Sequence, residues 1–446
     1  MFARVMTNIL TRFFYQPVDV LISLVFACAV SIVASTGVLV RRRRAGRTLT
    51  MKGLAPALVL LAFSLGDWAL LRALPVLKLS FSTDIRAPLL ASLVVRLVVL
   101  WALLAASLVV QWRARHQGVK RNTTRRKELV SPQRRHPSLV GTLRRGRKAA
   151  ARSFLQRSSS TKSILILFLG INLAFSLVQL DAYVLEPLWT RTTRVSLLFS
   201  DLDPDMPPVR MVQLGDIHTE RNSYREAQVI RKVNALEPDV IVLTGDYINL
   251  SRLDDPVSVE HFRDFVSQLH APYGIYAVRG SVERTPESMA RLVEGTDITW
   301  LEQETHTINV RGQEITLVGV ACSHRQETDV ARLDRAMDHV SPDAFTVLLY
   351  HSPDLIAEAS DRGIDLYLGG HTHGGQLRLP FFGAIVTGSA YGKQYERGLF
   401  QYDDTTMYIT QGIGFEGGGM PRARFLCRPE IVSLELAPYQ PYSAES

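Results

Sequence analysis

A chain of 446 residues is too long for one ordinary domain. Hydrophobic residues make up 47% of it and the net charge is +9, so the question is where each is concentrated. With three cysteines and no Cys-x-x-Cys pair, a zinc-ribbon or thioredoxin-type site is excluded.

Four apolar stretches fill the first part of the chain, approximately 17–40, 53–76, 87–112 and 163–185. Each is near the ~20 residues that a helix needs to cross a bilayer. The first is followed by Arg41-Arg42-Arg43-Arg44 rather than a small-residue cleavage site, so it reads as a retained helix and not a signal peptide. Asp67, Arg72 and Arg96 interrupt the second and third stretches. Snorkelling or burial against a neighbouring helix accounts for them ahead of an ion pathway. Basic residues crowd two loops, one at Arg41 to Lys52 and a longer one over 113–162. By the positive-inside rule both are cytoplasmic. We therefore expect a multi-pass cell-membrane protein, with residues 1–187 as the membrane region and everything after Leu185 extracytoplasmic. Phe154 is the one Phe, Tyr or Trp in the long basic loop, which argues against base stacking. It reads as a topology determinant that grips membrane lipids, with no nucleic-acid partner expected. Cys28 falls in the first stretch, while Cys322 and Cys427 follow the membrane region and their pairing is left open.

From 195 to 446 short apolar runs alternate with amphipathic segments, as β and α elements do in turn. Val209 to Leu214 is the first such strand and ends in Gly215-Asp216-Ile217-His218. A helix over Tyr224 to Glu237 leads to the strand Val240 to Thr244, which ends in Gly245-Asp246. After a helix over Val257 to Leu269 comes the strand Gly274 to Val278, ending in Arg279-Gly280-Ser281-Val282-Glu283. Pro286 to Gly295 reads as helix, Ile298 to Val320 as strands turning at Arg311-Gly312, and Asp329 to Val340 as helix. Phe345 to Tyr350 is a strand ending in His351-Ser352-Pro353-Asp354. The last strand of the series, Ile364 to Leu368, ends in Gly369-Gly370-His371-Thr372-His373-Gly374-Gly375-Gln376. Strand after strand thus ends in a carboxylate or an imidazole. Ligands of open α/β sheets collect at those ends. A cluster of Asp and His there is a poor way to build a core, and a cation would relieve the repulsion between Asp216 and Asp246.

Gly-Asp-Ile-His, Gly-Asp-Tyr, Tyr-His-Ser-Pro and Gly-Gly-His-Thr-His-Gly-Gly-Gln, in this order, resemble the calcineurin-like metallophosphoesterases. Gln411-Gly412-Ile413-Gly414 and Cys427-Arg428-Pro429-Glu430 look like the bacterial branch with an N-terminal membrane anchor. The resemblance implies a two-sheet αββα sandwich. It also implies two divalent ions: Asp216, His218 and His373 on one, Asp246 bridging, His351 and His371 on the other. Mixed imidazole and carboxylate ligands suit Mn, Fe or Zn better than Mg. The expected activity is a phosphohydrolase in which metal-activated water cleaves a phosphoester or phosphoanhydride, with Asp246 and His351 at its centre. Gly370, Gly374 and Gln376 would leave room for substrate.

The family's third block, Gly-Asn-His-Asp or Gly-Asn-His-Glu, is Gly280-Ser281-Val282-Glu283 here. Ser281 keeps a neutral oxygen donor where the family places an asparagine ligand. Val282 removes the histidine that contacts phosphate, and His324 is the replacement in reach on a neighbouring loop. A metal-binding relative with weak catalysis and a sensing or scaffolding role is the alternative. The substrate is expected to be a phosphorylated small molecule or a lipid-linked phosphate. Leu197, Leu198, Phe199, Phe381 and Phe382 are candidate lipid contacts that could equally be core residues.

Overall fold

A computed structural model describes residues 51–80, 163–415 and 421–439, together with 88–112 apart from 104, 107, 108, 110 and 111. The apolar stretch 17–40, Cys28, the basic loop 113–162 and the glycines at 417–419 lie outside the described residues. The chain divides into two compact units.

Among the described residues three apolar helices come first, with most of their length in the smaller unit and the ends of the first and third in the larger one. Helix α1 spans Met51–Val76, α2 spans Pro88–Leu103, and α3 spans Ser163–Leu188. By length and composition, Leu58–Val76 and Ser163–Leu188 can each cross a membrane, whereas α2 is shorter. Of the charges in these helices, Asp67 and Arg96 are buried against their neighbours, whereas Arg72 is exposed. Arg96 donates from Nη2 to Asp67 Oδ1 at 2.6 Å and from Nε to Oδ2 at 2.8 Å. It also donates to Asn172 Oδ1 at 2.8 Å and Ser176 Oγ at 2.9 Å. The rings of Phe63 and Phe175 each lie 5.0 Å from the guanidinium. Such a network meets the requirement that a buried charge be paired and hydrogen-bonded.

The larger unit contains Gln179–Ser446 and is built on two six-stranded sheets. The first has the order β1 (Arg191–Phe199), β14 (Glu430–Pro438), β2 (Val209–Leu214), β3 (Val240–Leu243), β4 (Ile275–Val278), β5 (Ile298–Leu301). The second has the order β12 (Gly398–Tyr402), β13 (Thr405–Ile409), β9 (Leu366–Gly369), β8 (Thr346–Tyr350), β7 (Gln313–Val320), β6 (Gln303–Val310). Both sheets mix parallel and antiparallel pairs. A short hairpin, β10 (Arg378–Leu379) with β11 (Gly383–Ala384), stands apart from them.

The central strands β3, β4, β8 and β9 are buried along their whole length because both of their faces are covered. On β3, Val240 and Val242 pack between the sheets, while Ile241 and Leu243 pack under helices α4 (Tyr224–Asn234), α5 (Pro256–Val266) and α6 (Pro286–Val293). On β8, Val347 and Leu349 face inward, while Leu348 and Tyr350 meet α7 (Gln326–Met337) and α8 (Ile356–Ser360). This alternation produces the αββα sandwich. The helix starts carry capping chemistry: Ser223 and Glu226 form a capping box on α4, and Asp255 caps α5 ahead of Pro256. Helix α7 begins at Gln326, three residues before the expected start. Asp329, where the apolar period begins, turns its carboxylate back to Ser323 and Tyr350.

Cys322 and Cys427 are both buried and free, not paired. Leu197 is buried and Phe199 packs on the central core, whereas Leu198, Phe381 and Phe382 are exposed.

Candidate metal centre and active site

Each strand of the two inner parallel runs stops at the same end of the sandwich, and the chemistry-bearing side chains follow it. Asp216 and His218 leave β2, Asp246 leaves β3, and Ser281 with Glu283 leaves β4. From the other sheet, His324 follows β7, His351 follows β8, and His371 with His373 follows β9. Turning a side chain into the site straight after a strand demands a sharp backbone bend. Asp216, His218, Asp246, His371 and His373 all have left-handed φ, between 46° and 69°. Non-glycine residues hold that conformation at roughly 1–3 kcal/mol each, and such strain gathers at functional sites.

The six side chains assemble as two triads. Asp216, His218 and His373 offer ligand atoms within 4.8 Å of one another, and so do Asp246, His351 and His371. In the first triad the Nε2 atoms of His218 and His373 face each other at 3.0 Å, with Asp216 Oδ1 3.5 Å from His373 Nε2. In the second, Asp246 Oδ2 is 3.1 Å from His351 Nε2. The same oxygen is 3.9 Å from His218 Nε2, so Asp246 stands between the triads. His351 points Nδ1 at the Thr244 carbonyl, 2.8 Å away, which orients the ring with Nε2 toward Asp246. The Asp216 carboxylate accepts the His371 N–H at 3.0 and 3.1 Å, tying the two strand ends together.

The protonation preferences of these groups follow from their burial and from one another's charges. Burial, and then repulsion from Asp246, pushes Asp216 up to about 7 against the pull of His351. Burial also opposes charge on Asp246, yet the charge and hydrogen bond of His351, followed by His218 and His371, hold it well below the carboxylate range. His351 is desolvated too, but Asp246 raises it to about 10. Burial, His351 and His324 press His371 down to about 3. Burial and His218 likewise keep His373 well below the usual imidazole value. The His351 imidazolium thus partly balances two buried carboxylates, while His371 and His373 are neutral lone-pair donors. Converging lone pairs and carboxylates with too little positive charge are a donor set that fits divalent cations.

The remaining site residues play other parts. Ser281 Oγ lies 3.2 and 3.1 Å from the two Asp246 oxygens, and the Val282 N–H donates to Oδ1 at 2.8 Å. The His324 ring sits 4.5 Å from that of His371, outside both triads. The space beside the glycines is occupied by the protein itself. A Cβ on Gly370 would lie 2.4 Å from Asp216 Oδ2, and one on Gly374 would lie 2.8 Å from Cys427 Sγ. Gln376 is buried and donates to the Pro421 carbonyl at 2.6 Å. Asp216, Cys427 and the Pro421 backbone are thus the near neighbours of these three positions.

Three supporting groups escaped the sequence reading. The Glu283 carboxylate takes the N–H groups of Tyr247 at 2.9 Å, Asp246 at 3.1 Å and Gly280 at 3.3 Å. Burial and the neighbouring Asp246 raise it to about 7. Its signal was its place as the acidic end of the Gly280 to Glu283 block. Arg424 is fully buried and binds the carbonyls of Gln411 at 2.9 Å and Gly414 at 2.6 Å behind Asp216. Thr244 acts through its backbone carbonyl, which no residue type reveals.

Residues 209–375 match the calcineurin-like phosphoesterase family. The chain is 30% identical over 264 residues to an uncharacterized metallophosphoesterase, YkuE, of Bacillus subtilis, covering 57% of this chain and 88% of that protein. It is 29% identical over 266 residues to the phosphodiesterase YaeI of Escherichia coli, covering 56% of this chain and 90% of YaeI. Against the UDP-2,3-diacylglucosamine pyrophosphatase LpxG of Chlamydia trachomatis it is 24% identical over 316 residues, covering 58% of this chain and 92% of LpxG. The chain belongs to the calcineurin-like phosphoesterase family. It is an enzyme of that class, a metal-dependent hydrolase of phosphoesters.

Proposed function

We propose that the protein is a membrane-anchored phosphohydrolase acting on a phosphoanhydride or an activated phosphoester, with a lipid-linked phosphate as the natural substrate. The observation that carries this reading is the pair of Asp/His triads sharing Asp246 between them. Asp216, His218 and His373 would hold one divalent ion and His351 and His371 the other, with Asp246 common to both and Ser281 beside the second. Mn, Fe or Zn suits these ligands better than Mg. The bound pair supplies Lewis-acid polarisation of the phosphoryl group and a more acidic attacking water.

The chain's own residues determine the rest. Asp246 and His351 fix the centre of the site, and Glu283 fixes Asp246 by holding its N–H. Val282 donates no side-chain proton, and absent general acid assistance costs about 10²–10⁴-fold. That deficit is smallest when the leaving group is itself a stable anion, as in a pyrophosphate or an aryl ester. His324 is the nearest imidazole outside the triads. Desolvation of its inner edge and the His351 charge hold it below its ordinary range. It is therefore neutral at pH 7 and offers substrate a hydrogen bond rather than a full charge.

Two apolar helices of membrane-crossing length support anchoring. In this reading residues 1–187 form a multi-pass membrane region and 195–446 the phosphoesterase domain, on the extracytoplasmic side, with membrane lipids as partners. A relative named for pyrophosphatase action on a diacylglucosamine nucleotide favours a lipid-linked substrate.

The test uses the full chain purified in detergent with manganese. Metal content is read by mass spectrometry, and turnover on an aryl phosphate and a bis-aryl phosphodiester. Two ions per chain, with turnover lost in Asp246→Asn, is the expected result. A chain that takes up no metal under these conditions would sink the reading.

A further inference from the structure

The end of α3 and the hairpin β10–β11 are linked through one piece of backbone. In the π-helical turn Asp181–Leu185 that closes α3, the Ala182 carbonyl accepts the Arg424 N–H at 2.9 Å. Glu186 takes the Leu426 N–H at 2.7 Å, and the Cys427 N–H as well. One residue further, Phe425 exchanges hydrogen bonds with the hairpin: Arg378 N–H to its carbonyl and its own N–H to the Gln376 carbonyl, both at 3.0 Å. The hairpin is also fixed to the metal turn, since Arg378 Nη1 donates to the Gly374 carbonyl at 2.6 Å.

Exposed apolar side chains line this connection. Phe381 is 111% exposed, Phe382 58% and Trp189 59%, and Leu185, Leu379 and Leu426 are exposed beside them. Phe381 has φ 64°, a strained backbone for an aromatic residue that projects it from the hairpin tip. Two of the rings carry cations. Lys393 Nζ lies 3.7 Å from the Phe382 centroid and the Arg428 guanidinium carbon 3.5 Å from the Trp189 centroid. Aromatic rings with Lys and Arg beside them, next to the end of an apolar helix, are the composition of a protein at a membrane–water interface.

We propose that this rim rests on the bilayer, with Phe381 and Phe382 among the acyl chains and Lys393 and Arg428 at anionic lipid phosphates. The inference rests on the reading that α3 anchors the chain in a membrane. It deepens that reading by assigning the metal turn's own hairpin as the lipid contact. A phosphate carried by a lipid then reaches His371 and His373 without leaving the bilayer surface.

The experiment places a nitroxide label at Phe381→Cys, and separately at Phe382→Cys, in the full chain with Cys28→Ser. Cys322 and Cys427 are buried and escape labelling. The chain is reconstituted into vesicles of phosphatidylethanolamine and phosphatidylglycerol. Asp297→Cys, exposed just before β5, is the reference. At 381 and 382 oxygen should relax the label more than a water-soluble nickel chelate does, with the order reversed at 297. Labels at 381 and 382 that match 297, in a chain that withstands an alkaline carbonate wash, overturn this inference and leave the anchor standing. A chain that washes off overturns both. Spin–spin broadening between chains at 381 would assign the rim to a second copy and overturn the lipid contact.

Discussion

Replacing Gly370 with alanine isolates the contribution of one ligand's position. The backbone permits it, because Gly370 is not among the glycines with positive φ. The obstacle is the new methyl carbon, which lands 2.4 Å from Asp216 Oδ2 and 3.3 Å from its Cγ. To reach even 3.0 Å, the oxygen must withdraw by about 0.6 Å. A carboxylate in a metal site holds its distance to within about 0.2 Å, so the shift removes Asp216 from productive geometry. The oxygens also hold the His371 N–H at 3.0 and 3.1 Å, so the displacement reaches the second triad. We expect manganese affinity at the Asp216 triad to fall by at least about 10–100-fold, the range seen when support of a ligand is lost. That corresponds to about 1.4–2.8 kcal/mol. The fold should survive, since overpacking of this kind costs about 1–3 kcal/mol. Equilibrium dialysis at graded manganese, with metal counted by mass spectrometry and folding by circular dichroism, measures both quantities. Wild-type affinity at both sites in a folded Gly370→Ala chain would refute the claim that this glycine makes room for the Asp216 carboxylate.

Other expectations follow from neighbouring features. Val282→His should raise turnover of a phosphoester with a poor alkyl leaving group by about 10²-fold or more, and of an aryl ester by much less; equal rates on the alkyl ester would mean that proton delivery is not limiting. Burial opposes the Glu226 charge, but Arg225 and the Ser223 hydroxyl hold its pKa below 4.5. Its stabilisation is therefore complete above the unfolded pKa and is lost as pH falls through the lower folded value. Thermal melts should show Glu226→Gln about 1 kcal/mol less stable than wild type at pH 7, with the gap closing as the pH falls through the folded value, and a gap that does not change with pH contradicts this. In the apolar helices, Asp67→Ala strands the Arg96 charge and should cost about 3–5 kcal/mol, with Asp67→Leu/Arg96→Met recovering most of it. Melting temperature in detergent decides between these outcomes.

Much of the site was legible because its residues follow a rule of position. Asp216, Asp246, His351, His371 and His373 each stand just past an apolar run, where a core has no use for them. The helices were legible from period and caps, as at Ser223 and Pro256. What was hidden depends on distant pairing. Nothing local distinguishes Glu430 to Pro438 from any other strand, yet it inserts between β1 and β2. The clearance at Gly370 is hidden too, because the atom it admits belongs to a residue 154 positions earlier. Arg424 looks like a surface cation until its carbonyl partners at Gln411 and Gly414 are seen.

That insertion of β14 has a bearing on how the protein is made. Arg191 begins β1 and its partner Glu430 begins β14, so the sheet's first strand has no neighbour until the last has been synthesised. At about 5–20 residues per second, the ribosome needs roughly 12–50 s to travel that far. Throughout this interval the apolar faces of β2 and β3 lack their finished cover, and β2 has an open edge where β14 belongs. A stop codon before Glu430 would leave all six triad residues translated but β1 and β2 without the strand that joins them.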